Sequence, residues 1–327
     1  MVLAFLFLIR RSINYPSHWQ AFFQASHCKN WNIYIHQKEN GNLGWFNRFK
    51  LPRHLVVPTK HGHISLVQAS NQLLNRAFKQ PNNTHFILLS ESCLPLKSLQ
   101  YILSYLNPSF SYFSDYEGYR DRCQSALTFL SQSQIRTASQ WCILNRQAVY
   151  SILHHPEYLT YFQHVCAADE HIYATILHNH RSKQMIRYGW TTYCQWNVPP
   201  LFRGFLLDED QEFCRPIHYV LLDQSFLISL QQHPQQLFMR KIHPNCMIQY
   251  DQHDSYPGDN ADVWLNRQHN NPDDLAAAKK HCQDKNYGGF VWHQQTFYFR
   301  RQTAAELIEH RQPNPESTLI LGGDFPK

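Results

Sequence analysis

The sequence holds no apolar run of membrane-spanning length. The run that opens it, Val2 to Ile9, has eight residues, against the roughly 20 that a spanning helix needs. Arg10-Arg11 follow that run, the reverse of the basic-then-apolar order of a secretory signal. The run reads as a buried strand, and the chain as cytoplasmic with no targeting segment. Also absent are a Gly-x-x-x-x-Gly-Lys phosphate loop, a Gly-x-Ser-x-Gly elbow and a His-Glu-x-x-His pair. P-loop kinases, α/β-hydrolases and zinc metalloproteases therefore lack their basic parts here. The nine cysteines include no Cys-x-x-Cys, which fits free thiols in a reducing compartment better than a disulfide framework. The 21 histidines show no metal-ligand spacing. His61-x-His63 and His178-x-His180 lack partner ligands in sequence, so no metal is expected. Basic residues cluster only as pairs such as Arg10-Arg11, Arg240-Lys241 and Arg300-Arg301, within a net charge of +6. Scattered pairs suit a small anion such as a diphosphate; no nucleic-acid partner is expected.

What is abundant is aromatic: 14% of the chain, with 18 Tyr and 8 Trp. Packed cores account for most such loads, and sugar-stacking sites use the same residues. Through about residue 230, short apolar strands alternate with helical patterns. Val2–Ile9, Asn32–His36, Leu55–Val57, Phe86–Leu89, Trp141–Leu144 and Ile186–Trp190 read as strands. Ser65 opens a helix whose Leu66, Leu73 and Ala77 recur at helical steps, ended by Pro81. Asp169 reads as the N-cap of a helix from Glu170 to about Leu177. Such alternation predicts an α/β fold with a mainly parallel sheet covered on both faces, whose ligands sit at the carboxyl ends of the strands. After Tyr250 the composition turns to Asp, Asn, Pro and His, a linker or exposed loop over 251–275. A helix from Asp273, a hairpin of Phe290–Trp292 with Thr296–Arg300, a helix at Ala304–His310 and a strand at Thr318–Leu321 then suffice for a small α+β module. The predicted domains are 1–250 and 251–327.

Six segments resemble one family in order. They are Ala4-Phe5-Leu6-Phe7-Leu8, His61 to Ala69, Phe86-Ile87-Leu88-Leu89-Ser90-Glu91-Ser92-Cys93-Leu94-Pro95-Leu96, Ser139 to Arg146, Ala168-Asp169-Glu170-His171 with Thr175, and Leu237-Phe238-Met239-Arg240-Lys241. The family is that of the core-2/I-branching β-1,6-N-acetylglucosaminyltransferases, especially its plant-like branch, which includes xylosyltransferases. Each motif is short; their order over about three quarters of the chain carries the resemblance. It implies a GT-A-like Rossmann-type sandwich, an inverting single displacement and no divalent metal. It also implies a UDP-sugar co-substrate and a glycan or glycoprotein acceptor, with no other cofactor.

Inverting transfer needs a base on the acceptor hydroxyl and positive charge on the departing diphosphate. The resemblance makes Glu170 the base, and an anionic side chain at a helix start suits that role. Arg240 and Lys241 become the diphosphate ligands. Some relatives carry a further Arg about 23 residues before this Lys; gapless counting places His218 there, with Arg215 three residues earlier, so the second phosphate contact departs from the pattern. Glu91, in Ser90-Glu91-Ser92, stands where metal-dependent GT-A enzymes carry Asp-x-Asp, and either touches a sugar or fixes its loop. Asp208-Glu209-Asp210 comes late, in a polar stretch that reads as an exposed loop. Trp141 either stacks on a sugar or fills core, and Trp190 and Trp196 flank a further acceptor-side stretch. His36, at a strand's carboxyl end, either nears the nucleotide or is a hydrogen-bonded structural residue. The expected activity is transfer of N-acetylglucosamine from a UDP donor to a glycan hydroxyl. A xylosyltransferase, a non-catalytic glycan-binding protein and an interaction module at Gly288–Arg301 are the rivals.

Overall fold

Strand β1 (Val2–Ile9) is buried from Leu3 onward, and its two faces meet different cores because side chains alternate along a strand. Ala4, Leu6 and Leu8 join Val67, Leu73, Leu88 and Leu144 in one apolar cluster. Phe5 and Phe7 point the other way, Phe5 edge-on to Phe23 at 4.9 Å and Phe7 to Phe46 at 6.4 Å. Trp31, Trp45 and Phe49 extend that aromatic side, so much of the aromatic content is core packing.

The computed structural model describes residues 1–25, 29–114, 117–180, 185–195, 216–250, 254–255, 262–265, 272–285, 287–293, 296–302, 307, 312–313 and 317–321. They fall into two units: Met1–Pro16, Phe22–Tyr193 and Gln235–Phe238 form the first; Ser17–Ala21, Cys194–Pro234 and Met239–Lys327 the second. In chain order the strands to residue 194 are β1, β2 (Trp31–Gln37), β3 (Asn83–Ser90), β4 (Leu94–Pro95), β5 (Ser111–Phe113), β6 (Ile143–Asn145), β7 (Ile186–Tyr188) and β8 (Thr192–Cys194). The helices are α1 (Pro16–Gln24), α2 (Ser65–Phe78), α3 (Leu99–Tyr105), α4 (Arg146–Leu153), α5 (Glu157–Tyr161) and α6 (Ile172–Asn179).

The first unit's sheet has the order β2-β1-β3-β6-β5-β7. Parallel pairs join β1 to β2, β1 to β3 and β5 to β7, while β6 runs antiparallel to both β3 and β5. Five strands therefore point one way and β6 alone opposes them. The fold is a mainly parallel α/β sandwich, as the alternation predicts, and of the GT-A-like Rossmann type that the resemblance implies. Because β2 and β3 lie on opposite sides of β1, the chain reverses its winding there, the place where open α/β sheets form a ligand crevice. Asn145 ends β6 and caps α4: its Oδ1 accepts from Ala148 N–H at 2.8 Å, the usual service of an Asn at that position. Arg146 donates to the Phe78, Gln80 and Asn83 carbonyls, closing the carboxyl end of α2.

The second unit has a sheet of order β13-β15-β14-β17-β11-β9. In chain order the remaining elements are β9 (Tyr219–Asp223), α7 (Gln224–Gln232), β10 (Phe238–Arg240), β11 (Ile242–Tyr250), β12 (Asp254–Ser255), β13 (Val263–Leu265), α8 (Pro272–Lys285), β14 (Gly289–His293), β15 (Thr296–Arg300), β16 (Gln312–Pro313) and β17 (Ser317–Leu321); all belong to this unit except Phe238 of β10, which is counted in the first. The β14–β15 hairpin is antiparallel, as expected. Ala278 and Cys282, one helical turn apart on α8, bury against Phe290, Phe297 and Phe299, a spacing that puts both on one face.

Three segments depart from what the sequence predicts. Leu55–Val57 is not a strand: Arg53–Leu55 is a 3-10 turn, and the Leu55 and Val56 amides are spent on the Pro52 and Arg53 carbonyls rather than on a ladder. Val57 N–H instead donates to His36 Nε2 at 2.9 Å. Asp169 does not cap a helix from Glu170: Ala168–Glu170 is a 3-10 turn, and α6 starts at Ile172 with His171 before it. The 251–275 stretch is not all loop, since it contains β12, β13 and the start of α8. In addition, β11 pairs with β17 at Gln249↔Ile320 and Tyr250↔Leu319, so residues on both sides of position 250 share one sheet. Most of Ala304–His310 lies outside the described residues.

Candidate functional site

Five carboxyl ends face one edge of the first sheet, and the candidate residues of that unit collect there. Leu8 on β1 is level with His36 on β2 and Ser90 on β3. Glu91 follows Ser90 directly, and its carbonyl accepts from Asn14 N–H at 2.9 Å, joining the loops after β1 and β3. The loops after β1 and β2 are joined as well. Arg10 Nε donates to Glu39 Oε1 at 2.6 Å, and Gln37 Nε2 to the Arg11 carbonyl at 2.6 Å. Gly41 sits in this seam. A Cβ there would stand 2.9 Å from the Arg11 carbonyl oxygen, so only glycine fits without a shift.

His36 is fully buried. Its Nε2 accepts from Val57 N–H, and burial pushes its pKa down to about 4. A neutral imidazole holding a backbone amide is the structural role weighed above.

Glu170 reaches the same edge through a relay of backbone bonds. Its carbonyl accepts from Ala138 N–H at 2.8 Å; the next amide, Ser139 N–H, donates to Ser114 just past β5 at 3.3 Å. Trp141 lies two residues on, its N–H bonded to Ser139 Oγ at 3.2 Å. Cys142 beside it accepts from Leu88 N–H on β3 at 3.2 Å. On the far side, Gly189 N–H donates to Phe113 at the end of β5 at 3.0 Å, and the following Trp190 is 44% exposed, a large indole open to solvent. The structure thus brings the Glu170, Trp141 and Trp190 segments onto the end of β5.

The turn carrying Glu170 is held by two left-handed residues. Gly62 has φ +66° and Ala167 φ +54°, and Ala167 N–H donates to the Gly62 carbonyl at 2.8 Å. The Glu170 carboxylate forms an ion pair with Arg122, whose Nη2 donates to Oε2. Arg122 Nε donates to His171 Nε2 at 2.7 Å. That contact leaves the His171 proton on Nδ1, which lies 3.1 Å from both the Arg136 carbonyl and Thr137 Oγ1. Thr137 Oγ1 in turn donates to the Gly118 carbonyl at 3.0 Å. His171 is fully buried, and burial, with help from the neighbouring guanidinium, pushes its pKa down to about 4. The ring is a fixed neutral acceptor that orients Arg122, which in turn fixes one oxygen of Glu170. Sequence reasoning missed Arg122. It lies 48 residues before Glu170 in a 3-10 turn, Asp121–Thr128, with no local pattern to mark it.

Arg240 and Lys241 belong to the second unit. Arg240 is 9% exposed, with Nη1 4.0 Å from Cys194 Sγ. The Lys241 carbonyl accepts from Tyr219 N–H at 2.8 Å, and Lys241 N–H donates to the Ile217 carbonyl at 3.4 Å. His218 lies between those two partners, so its backbone runs beside Lys241. Arg215, Trp196 and Asp208-Glu209-Asp210 lie outside the described residues. Among the described residues no disulfide joins cysteines, and no helix is long and apolar enough to cross a membrane.

A mainly parallel Rossmann-type sheet with a turn-borne carboxylate at its carboxyl edge defines an α/β protein of GT-A-like type. The model of the Core-2/I-Branching enzyme family matches residues 3–239; the chain belongs to that family. It is also similar to the glycosyltransferase BC10 of Oryza sativa subsp. japonica, at 24% identity over 260 residues. That match covers 68% of this chain and 63% of the rice protein.

Proposed function

We propose that this chain is an inverting glycosyltransferase that moves N-acetylglucosamine from a UDP donor to a hydroxyl of a glycan or glycoprotein, with no divalent metal at the reacting centre. The observation that carries the reading is the Glu170 carboxylate, held by Arg122 at the carboxyl edge of the sheet, in a chain of the Core-2/I-Branching enzyme family. Glu170 takes the proton of the acceptor hydroxyl as its oxygen bonds to the anomeric carbon. The bond from that carbon to the diphosphate breaks on the opposite face, and UDP leaves with the electron pair. Arg240 and Lys241 neutralise the charge that develops on the diphosphate, the work a metal does in other enzymes. Ser90-Glu91-Ser92 at the end of β3 offers one carboxylate rather than two, a poor seat for a hard cation that needs several oxygens. Trp190 and Trp141 are the acceptor-side aromatics.

The test is release of UDP from a panel of UDP-sugars with glycan acceptors, with and without EDTA. Release specific to UDP-N-acetylglucosamine that survives EDTA and is lost in Glu170→Gln is the expected result. Release from UDP-xylose alone would make the chain a xylosyltransferase. Binding of UDP-sugar and glycan without turnover would make it a glycan-binding protein. Absence of any UDP-sugar binding by calorimetry would overturn the reading.

A further inference from the structure

Helix α6 has Glu170 before its amino end and a different cluster at its carboxyl end. His180 directly follows the helix, and the turn His155-Pro156-Glu157 that leads into α5 faces it. One donor atom from each of His155, Glu157 and His180 lies within 4.8 Å of the other two. The His155 and His180 rings stack at 3.4 Å between centroids and 19° between planes. His155 Nδ1 is 2.8 Å from Glu157 Oε1.

We propose that His155, Glu157 and His180 form a binding site for a borderline divalent transition metal, of which Zn²⁺ is the type. The donor set decides the class: two imidazoles and one carboxylate suit Zn²⁺ and its neighbours in the first row, whereas Ca²⁺ and Mg²⁺ want oxygen. The spacing suits it as well. Three donors no more than 4.8 Å apart leave a central cation within about 2.8 Å of each, less than 1 Å beyond a Zn–N bond. Pro156 has φ −67° and stands before the first residue of α5, so the two ligands beside it sit on a turn with little freedom.

The His180 ring is anchored from behind. Tyr158, 4% exposed, places its hydroxyl 3.3 Å from His180 Nε2 and accepts from Asn179 Nδ2 at 3.1 Å. Partners of this kind fix the orientation of metal-ligating rings. The carboxyl end of α6 adds the negative end of a helix dipole, which favours a cation. The His155 and Glu157 side chains are 28% and 42% exposed, so water can complete the coordination. A bound ion would pin α6 to α5, at the end of the helix away from Glu170.

The experiment uses the tag-free full-length chain, stripped with chelator and titrated with Co²⁺ and then Zn²⁺ alone. Visible d–d bands of Co²⁺ and calorimetry report binding, and thermal melting reports stability. The expected result is one equivalent bound above any weak background, bleaching of the Co²⁺ bands by Zn²⁺, and a melting temperature raised by Zn²⁺. In His155→Asn and His180→Asn that equivalent weakens by at least about 100-fold, beyond what loss of an outer partner costs. Glu157→Gln, at an exposed position, is the variant that keeps the test sound should a histidine variant not fold. The proposal is overturned if the wild type binds no stoichiometric metal, or if these variants bind it with unchanged affinity. None of these readouts depends on transferase activity.

Discussion

Arg122 pairs with the Glu170 carboxylate through one nitrogen while a second nitrogen of the same guanidinium holds His171. A planar fork can serve two acceptors at once, and a lysine ammonium cannot reproduce that geometry. With one oxygen of Glu170 fixed, the proposed mechanism assigns the other to the acceptor hydroxyl. Glu170→Gln is expected to lower kcat by about 10²–10⁴-fold, the usual worth of a positioned base. Arg122→Ala is expected to lower kcat by a smaller factor, about 10–100-fold, with KM for the donor nearly unchanged, because positioning is lost and the base is not. Arg122→Lys should recover only part of that loss. Both side chains are about one-third exposed, so melting should shift little. Steady-state kinetics of the three variants, with equal changes in kcat and stability, would refute the positioning role.

Three buried histidines set a pH dependence of stability. His36, His85 and His171 are each pushed to about 4, chiefly by burial, whereas in the unfolded chain each titrates near its ordinary value of about 6.5. Between those values the unfolded state binds more protons than the folded one, so stability rises with pH there. The contribution is complete above about pH 6.5 and falls away as pH drops toward 4. Each histidine is worth on the order of 2–3 kcal/mol by the acid end. Urea unfolding at pH 7, 6 and 5 should show a stepwise loss, in a range where most carboxylates stay ionised. Equal midpoints at pH 7 and pH 5 would contradict it.

The strands were legible because their burial is written in composition: a run such as Val2–Ile9 has one reading, and the alternation of Phe5 and Phe7 against Leu6 and Leu8 divides two cores. The 3-10 turn at Ala168–Glu170 was not legible, since Asp169 before a helical run imitates an N-cap and only the Gly62–Ala167 bond shows where the helix starts. Glu170 could be picked out through the family resemblance, but Arg122 could not. Its partnership is made by the chain folding back over 48 residues, and no local spacing encodes that. Likewise His155, Glu157 and His180 come together only because α5 and α6 meet. His178-x-His180 looked without partners for that reason.

The two left-handed residues that hold the Glu170 turn give opposite mutational effects. Gly62 pays little for φ +66°, whereas Ala167 holds φ +54° against a steric cost of about 1–2 kcal/mol. A Cβ at Gly62 would meet Cys166 Sγ at 3.6 Å, an ordinary contact, so the cost of Gly62→Ala is that of the backbone. Gly62→Ala is expected to destabilise by about 1–2 kcal/mol and to lower transfer as well, because the turn shifts. Ala167→Gly is expected to relieve the steric term by up to about 1 kcal/mol, less the entropy of an added glycine. Chemical denaturation of the pair checks the signs; destabilisation of similar size by both variants would show that the turn is not governed by these two φ angles.

Lys241 and Arg240 should separate by what each loses on truncation. Arg240 is nearly enclosed, 9% exposed, so Arg240→Ala removes packing as well as charge and should lower the melting temperature along with UDP affinity. Lys241 is half-buried, and its backbone is held by Tyr219 and Ile217 independently of its side chain. Lys241→Ala should therefore leave the fold intact. With the diphosphate as its target, that variant is expected to weaken UDP binding about 10-fold and to lower kcat/KM about 10²-fold or more, since the charge it meets is largest in the transition state. The wild-type affinity should also fall with added salt more steeply than that of the variant, because one screened ionic contact is gone. Calorimetric titration of UDP at two ionic strengths measures this without an acceptor. Unchanged UDP affinity in Lys241→Ala would remove Lys241 from the donor site while leaving the role of Glu170 to be judged by its own variant.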